Sequence, residues 1–230
     1  MSHLIFGGTN IDLMYLYRKY LGMLKLKRLG ITFFAPNYAF FERFNESDIV
    51  VDVGIGDKPD FSAHLMSRYN LKCIGVDPTL KHAETLRKFE LENPLFRYLP
   101  LAVGQRSEFT TFFESQINVS GSLLKNHINI MNDPIISYPV RVVTISDLIE
   151  IIDAPSISIM KLDIEGAEYR LIKTLEQSAL DKISQLIVEF HHDTISRYSW
   201  KDTVNCINQI KDVGMNCIVY NGRDCLFYWD

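Results

Sequence analysis

The stretch Ile49-Val50-Val51-Asp52-Val53-Gly54-Ile55-Gly56-Asp57 decides the fold. Four β-branched residues in its first five make a short strand of the buried type. Gly54 and Gly56 then let the chain turn sharply and bring its backbone close to a ligand. Asp60 to Tyr69 follows as a predicted helix.

The same rhythm continues downstream. Lys72 to Val76 is an apolar run ending in Asp77-Pro78, and Leu80 to Leu91 reads as helix. Phe96 to Val103, Phe109 to Phe113 and Val140 to Val143 read as strands, with a polar loop from Asn118 to Ser137. Ser146 to Ile152 is a short helix and Ser156 to Leu162 a buried strand. A helix follows from Ala167 to Ala179, then a strand from Gln185 to Phe190 and a last helix from Trp200 to Val213. Strands alternating with helices predict an α/β fold, a mostly parallel sheet with helices on both faces. The end departs from it. Met215 to Tyr220 and Cys225 to Trp229 flank Asn221-Gly222, a strong hairpin signal, so the sheet is expected to close with an antiparallel hairpin.

Upstream, Leu13, Leu16, Tyr17, Tyr20, Leu21 and Leu24 recur at helical spacing. Arg18, Lys19, Lys25, Lys27 and Arg28 make that segment basic. The reading is a helical extension over residues 1–45 and a main domain over 46–230. The extension serves as a cap over the site or as a homodimer contact.

The composition of the 230 residues is that of a packed core: 47% hydrophobic, 12% aromatic and 23% charged. A net charge of −4 provides no field to attract nucleic acid. Cys73, Cys206, Cys217 and Cys225 form no CxxC pair, so reduced thiols and a cytoplasmic setting are expected. No apolar run is long enough to span a bilayer.

Three segments carry chemistry. The glycine turn lies at the carboxyl end of the first core strand, where open α/β sheets bind ligands. About 20 residues on, Asp77 ends the second strand, placed to accept hydrogen bonds from a ribose. Pro59 stands where a dinucleotide fold has its third glycine, and it has no N–H for a pyrophosphate. Asp52 and Asp57 repel phosphate and favour a cation. The balance therefore favours S-adenosylmethionine over NAD, with a nucleotide-dependent oxidoreductase as the lesser reading. The second segment, Met160-Lys161-Leu162-Asp163-Ile164-Glu165-Gly166-Ala167-Glu168, delivers carboxylates to the same sheet edge. The third, Val188-Glu189-Phe190-His191-His192-Asp193, brings two histidines to the end of the next strand, a source of a general base near neutral pH. His191 is preferred over His192. A metal held by His191, Asp163 and Glu189 is conceivable. Strand alternation argues against Glu189, and nothing in the sequence demands a metal.

These segments resemble the FkbM-type methyltransferases from about Asp48 to His191. The resemblance rests on the VDVGIG turn with Phe61-Ser62, the GVDP stretch Gly75 to Pro78, and Leu101-Ala102-Val103-Gly104. It continues through Ser122-Leu123, Val143 to Leu148, Lys161 to Glu168 and Val188 to His191. It implies a Rossmann-like class I methyltransferase fold with a seven-stranded sheet, and O-methylation of a hydroxyl on a sugar or secondary metabolite. On that reading Asp52, Gly54 and Gly56 line the methionine end of S-adenosylmethionine and Asp77 holds its ribose. Leu101 and Ala102 lie near the adenine, and Ser122 is a further contact. Asp163 and His191 orient and deprotonate the acceptor, with Glu165 in support. The chain departs from the family in its Asp57-Lys58-Pro59-Asp60 bend and in having Asp rather than Glu at position 77. The bend keeps open a third reading, a non-catalytic binding module.

Overall fold

The computed structural model describes residues 3–6, 9–12, 21, 24, 26, 28–34, 38–45, 48–220 and 222–230. Two short antiparallel pairs come first: β1 (His3–Phe6) with β2 (Thr9–Asp12), and β3 (Thr32–Phe34) with β4 (Tyr38–Phe40). Then β5 (Ile49–Val53), α1 (Asp60–Tyr69), β6 (Lys72–Val76), α2 (Leu80–Glu92) and β7 (Phe96–Leu99) alternate. A middle section holds β8 (Ala102–Val103), β9 (Glu108–Ser115), β10 (Gly121–Ser122), α3 (Ile128–Met131) and β11 (Ile135–Val143). The remainder runs α4 (Ile145–Ile152), β12 (Ile159–Leu162), α5 (Glu168–Ile172), α6 (Gln177–Leu180), β13 (Gln185–Glu189), α7 (Trp200–Asp212), β14 (Asn216–Val219) and β15 (Asp224–Tyr228).

Seven strands form the main sheet in the order β14-β15-β13-β12-β5-β6-β7. Neighbours from β13 to β7 are parallel, and β15 is antiparallel to both β13 and β14. Side-chain alternation sorts this sheet into two cores. Val51, Val53, Met160, Leu162, Leu186 and Val188 meet Leu148, Ile149, Leu171, Ile207 and Ile210 from α4, α5 and α7. On the other face Val50, Ile159, Ile187 and Leu226 meet Phe61 and Leu65 of α1, Leu86 of α2, and Phe40 and Phe41. The result is a three-layer arrangement. Among the described residues no helix is long and apolar enough to cross a membrane, and all four cysteines are free.

The structure corrects four sequence expectations. The N-terminal extension is not uniformly helical: Leu21, Leu24, Leu26 and Arg28 are helical, but β3 and β4 follow. Thr32-Phe33-Phe34 and Tyr38-Ala39-Phe40 are rich in β-branched and aromatic residues that suit a half-buried strand. Leu13, Leu16, Tyr17 and Tyr20 of the expected helix lie outside the described residues. The strand expected over Phe96 to Val103 is two strands in different sheets, broken at Pro100, which cannot donate to a ladder. The expected loop from Asn118 to Ser137 contains β10, α3 and the start of β11. There, Tyr138, Val140 and Val142 alternate and pack with Phe112 of β9. The helix expected over Ala167 to Ala179 breaks into α5 and α6. The Thr174 hydroxyl donates to the Leu171 carbonyl at 3.0 Å and Gln209 donates to the Ile172 carbonyl at 2.7 Å, so side chains satisfy the last turn of α5.

Candidate active site

The carboxyl ends of β5, β6 and β12 open into one cavity of about 240 Å³. Gly54 opens its floor at φ +75°. A Cβ there would lie 1.6 Å from the Asp163 carbonyl oxygen, so only glycine lets these two loops cross. Gly56, at φ +71°, has nothing within 4 Å of where its Cβ would stand. Its N–H donates to Asp77 Oδ2 at 3.0 Å, and the Thr79 N–H donates to Oδ1 at 2.8 Å. Burial opposes the Asp77 charge, but the nearby His82 ring and the N–H donors of Thr79 and Gly56 outweigh it and hold the carboxyl below its usual range. Asp77 is thus a fixed carboxylate whose two oxygens keep lone pairs for further donors.

Behind the glycine turn lies a buried ion cluster. Lys161 stands in register with Asp52 across β12 and β5. Its ammonium lies 3.0 Å from Asp52 Oδ1, 3.0 Å from the Gly54 carbonyl oxygen and 3.6 Å from Asp163 Oδ2. It also sits 5.0 Å from the centre of the Tyr38 ring. Burial disfavours the charge, yet Asp52 and Asp163 more than compensate and hold Lys161 protonated. Ser62 donates to Asp52 Oδ2 at 3.0 Å. Asp52 therefore braces the turn from inside and does not line the cavity.

The third group surrounds the end of β12. Asp163 and Glu165 both line the cavity. Burial and the neighbouring Glu189 push the Asp163 carboxyl up to about 7, against the pull of Lys161 and His191. Glu165 is in the left-handed region at φ 50°, a strained position for a residue with a Cβ. Ser122 secures it by donating to its carbonyl oxygen at 2.7 Å, and His127 Nε2 lies 2.5 Å from its Oε2. His191 is buried behind both acids, its Nε2 3.5 Å from Asp163 Oδ1 and from Glu165 Oε2. Its Nδ1 faces Glu168 Oε1 at 3.1 Å, and its backbone N–H donates to the same oxygen at 2.9 Å. Burial disfavours the imidazolium, but Glu168 and the two other acids carry its pKa up to about 10. His192 turns instead to Thr203 of α7.

Of the residues singled out from sequence, Gly54, Gly56, Asp77, Leu101, Ala102, Asp163 and Glu165 line the cavity, while Asp52, Ser122 and His191 stand directly behind its wall. The alternation argument against Glu189 is corrected: residues two apart share a face, and Glu189, Asp163 and His191 place ligating atoms within 4.8 Å of one another. Sequence reasoning missed Tyr38, Lys161 and His127. The signal for Lys161 was a lone charge inside the apolar run Ile159-Met160-Lys161-Leu162. Tyr38 and His127 carried none, since only folding brings them to this edge.

A three-layer α/β molecule with a reversed last sheet strand, and a cleft at the carboxyl ends of its central strands, has a Rossmann-like methyltransferase fold. The chain belongs to the FkbM family of methyltransferases: residues 19–198 match the Methyltransferase FkbM domain. No curated protein matches it in sequence. Among solved structures it is similar to fibrillarin in its complex with Nop5p, with a TM-score of 0.50 at 9% identity over 98% of this chain and 87% of that one. It is also similar to Aeropyrum pernix fibrillarin with natively bound S-adenosyl-L-methionine (TM-score 0.45, 10% identity, 98% and 80% covered). A third is the N-terminal domain of human METTL16 in complex with SAH (TM-score 0.44, 6% identity, 100% and 74% covered). At 9% identity the likeness to the first of these is one of fold.

Proposed function

We propose that the chain binds S-adenosylmethionine and transfers its methyl group to a hydroxyl of a sugar or secondary-metabolite-like small molecule. One observation carries the reading: a single cavity runs from the ribose-type carboxylate of Asp77, past the open face of Gly56, to the carboxylate of Asp163. The residues fit that cofactor. Asp77 has lone pairs to spare for two hydroxyls, Gly56 leaves space against the backbone, and Leu101 and Ala102 make an apolar wall for a purine. Asp57, Asp77, Asp163 and Glu165 outnumber Lys58 and Lys161 around the cavity, which suits a cationic ligand.

When bound, the cofactor supplies a methyl group on a sulfonium, already a strong electrophile. The protein's task is then to align the acceptor and remove a proton. A carboxylate oxygen of Asp163 takes the hydroxyl proton, and Lys161 and His191 hold that carboxylate in place. Glu165 orients the acceptor, and Asp52 acts at one remove by fixing Lys161. Tyr38 brings the segment before β5 to the cavity wall, which supports residues 1–45 as a cap on the domain formed by 46–230. A homodimer contact through the amphipathic stretch and a reducing, cytoplasmic setting complete the proposal.

Calorimetric titration with S-adenosylmethionine and with NAD tests the cofactor: S-adenosylmethionine binds, and binding of NAD alone would overturn the reading. With a hydroxyl acceptor drawn from a sugar and polyketide panel, Asp163→Asn lowers kcat by about 10²–10⁴ and leaves cofactor affinity within a few-fold. An undiminished kcat removes Asp163 from the chemistry.

A further inference from the structure

We propose that His127, Glu165 and His191 form a binding site for a divalent transition-metal ion in the wall of the cavity. One ligand atom from each of the three lies within 4.8 Å of the other two. His127 Nε2 lies 2.5 Å from Glu165 Oε2, a hydrogen-bond contact that opens when an ion takes the place of its proton, and His191 Nε2 lies 3.5 Å from the same oxygen. The second distance is long for a hydrogen bond. It matches the roughly 3.4 Å between neighbouring ligand atoms around an ion with bonds of about 2.1 Å in tetrahedral array.

The atoms behind the triad are arranged as metal sites require. The other nitrogen of His191 faces the fully buried Glu168, and Glu168 Oε2 is fixed in turn by the Gly166 N–H at 2.8 Å. Such a carboxylate–histidine pair directs Nε2 toward the ion and orients the ring. Ser122 and the positive φ of Glu165 aim the third ligand. Charge agrees as well, once the ion displaces the proton that the surrounding acids hold on His191. Asp163, Glu165, Glu168 and Glu189 crowd this end of the sheet. Among the described residues the Lys and Arg side chains ion-paired with them are Lys161 and Arg223. Glu189 is committed to Arg223, which leaves the His127–Glu165–His191 set as the better donor group. Two imidazoles and one carboxylate suit Zn²⁺, Mn²⁺ or Fe²⁺ over Mg²⁺ or Ca²⁺. Glu165 lines the cavity, so the ion has a path in and an open side facing it. A part for that ion in holding an acceptor oxygen rests on the proposed methyl transfer; the binding of the ion does not.

The test is titration of the chelator-stripped protein with Mn²⁺ and with Zn²⁺, followed by calorimetry and, for Mn²⁺, by electron paramagnetic resonance. One equivalent of at least one of the two ions binds. His127→Gln and Glu165→Gln each weaken it tenfold or more, and Glu168→Gln weakens it by about 10–100-fold through orientation alone. Circular dichroism and S-adenosylmethionine affinity report whether each variant is folded. Should His127→Gln fail to fold, Glu165→Gln, at the cavity wall, decides. Absence of binding by the wild type, or wild-type affinity in a folded His127→Gln or Glu165→Gln, overturns the site. Metal binding without S-adenosylmethionine binding would overturn the proposed function and leave the metal site standing.

Discussion

Asp77 shows what one residue contributes. Two backbone donors and the nearby His82 ring hold it ionised in a nearly closed setting, so it is a ready acceptor and not a reservoir of protons. Its depressed pKa contributes stability above the ordinary carboxylate range and loses it as pH falls below that range. Two consequences follow for the proposed cofactor, both read by calorimetry. Asp77→Ala weakens S-adenosylmethionine by about 1–3 kcal/mol, the scale for polar groups left unpaired. The part of wild-type affinity that depends on Asp77 stays flat from about pH 5 upward, since the group is already ionised there.

At the scale of elements, the site depends on loops crossing at the strand ends. The turn after β5 passes against the backbone that leaves β12, and Gly54 makes the crossing. Gly54→Ala therefore combines a left-handed backbone penalty of about 1–2 kcal/mol with a clash against backbone that cannot move cheaply. Gly56→Ala has the same class of penalty in open space. Thermal melting is expected to fall much further for Gly54→Ala than for Gly56→Ala; equal shifts would show that the crossing is not tight. The capping of α4 is separate from the site. Its Thr144 side chain accepts from the Asp147 N–H at 3.1 Å, which ties the end of β11 to the helix that covers one core.

For the whole molecule, two long-range features set stability. Gln185 of β13 clasps the backbone of Phe41, its Oε1 accepting from the N–H at 2.7 Å and its Nε2 donating to the carbonyl at 3.1 Å. Gln185→Leu strands both groups and lowers unfolding free energy by about 1–3 kcal/mol in urea titration, loosening the segment that carries Tyr38. Asp224, buried beside Glu189, has no hydrogen-bond partner for either oxygen among the described residues, and burial pushes its carboxyl up to about 8. The folded chain thus keeps a proton that the unfolded chain releases near pH 4. This destabilises the fold by up to about 1.4 kcal/mol per pH unit as pH rises toward 8. Asp224→Asn cannot ionise, so its urea midpoint matches the wild type near pH 4 and exceeds it at pH 9.

The alternation of apolar runs and helix-period segments determined the strands and helices from β5 to α2 and the closing hairpin, because burial on both faces demands near-continuous apolar strands. Spacing also located Gly54, Asp77, Asp163 and Glu165, since strand ends are local features. The split after Leu99 was written in Pro100 itself, whereas the break of the helix after Ile172 and the pairing of β9 with β11 were decided by competition between local propensity and distant partners. So were the neighbours that charge the site. Lys161 meets Asp52 and His127 meets Glu165 across separations of 109 and 38 residues, which only the packed sheet closes.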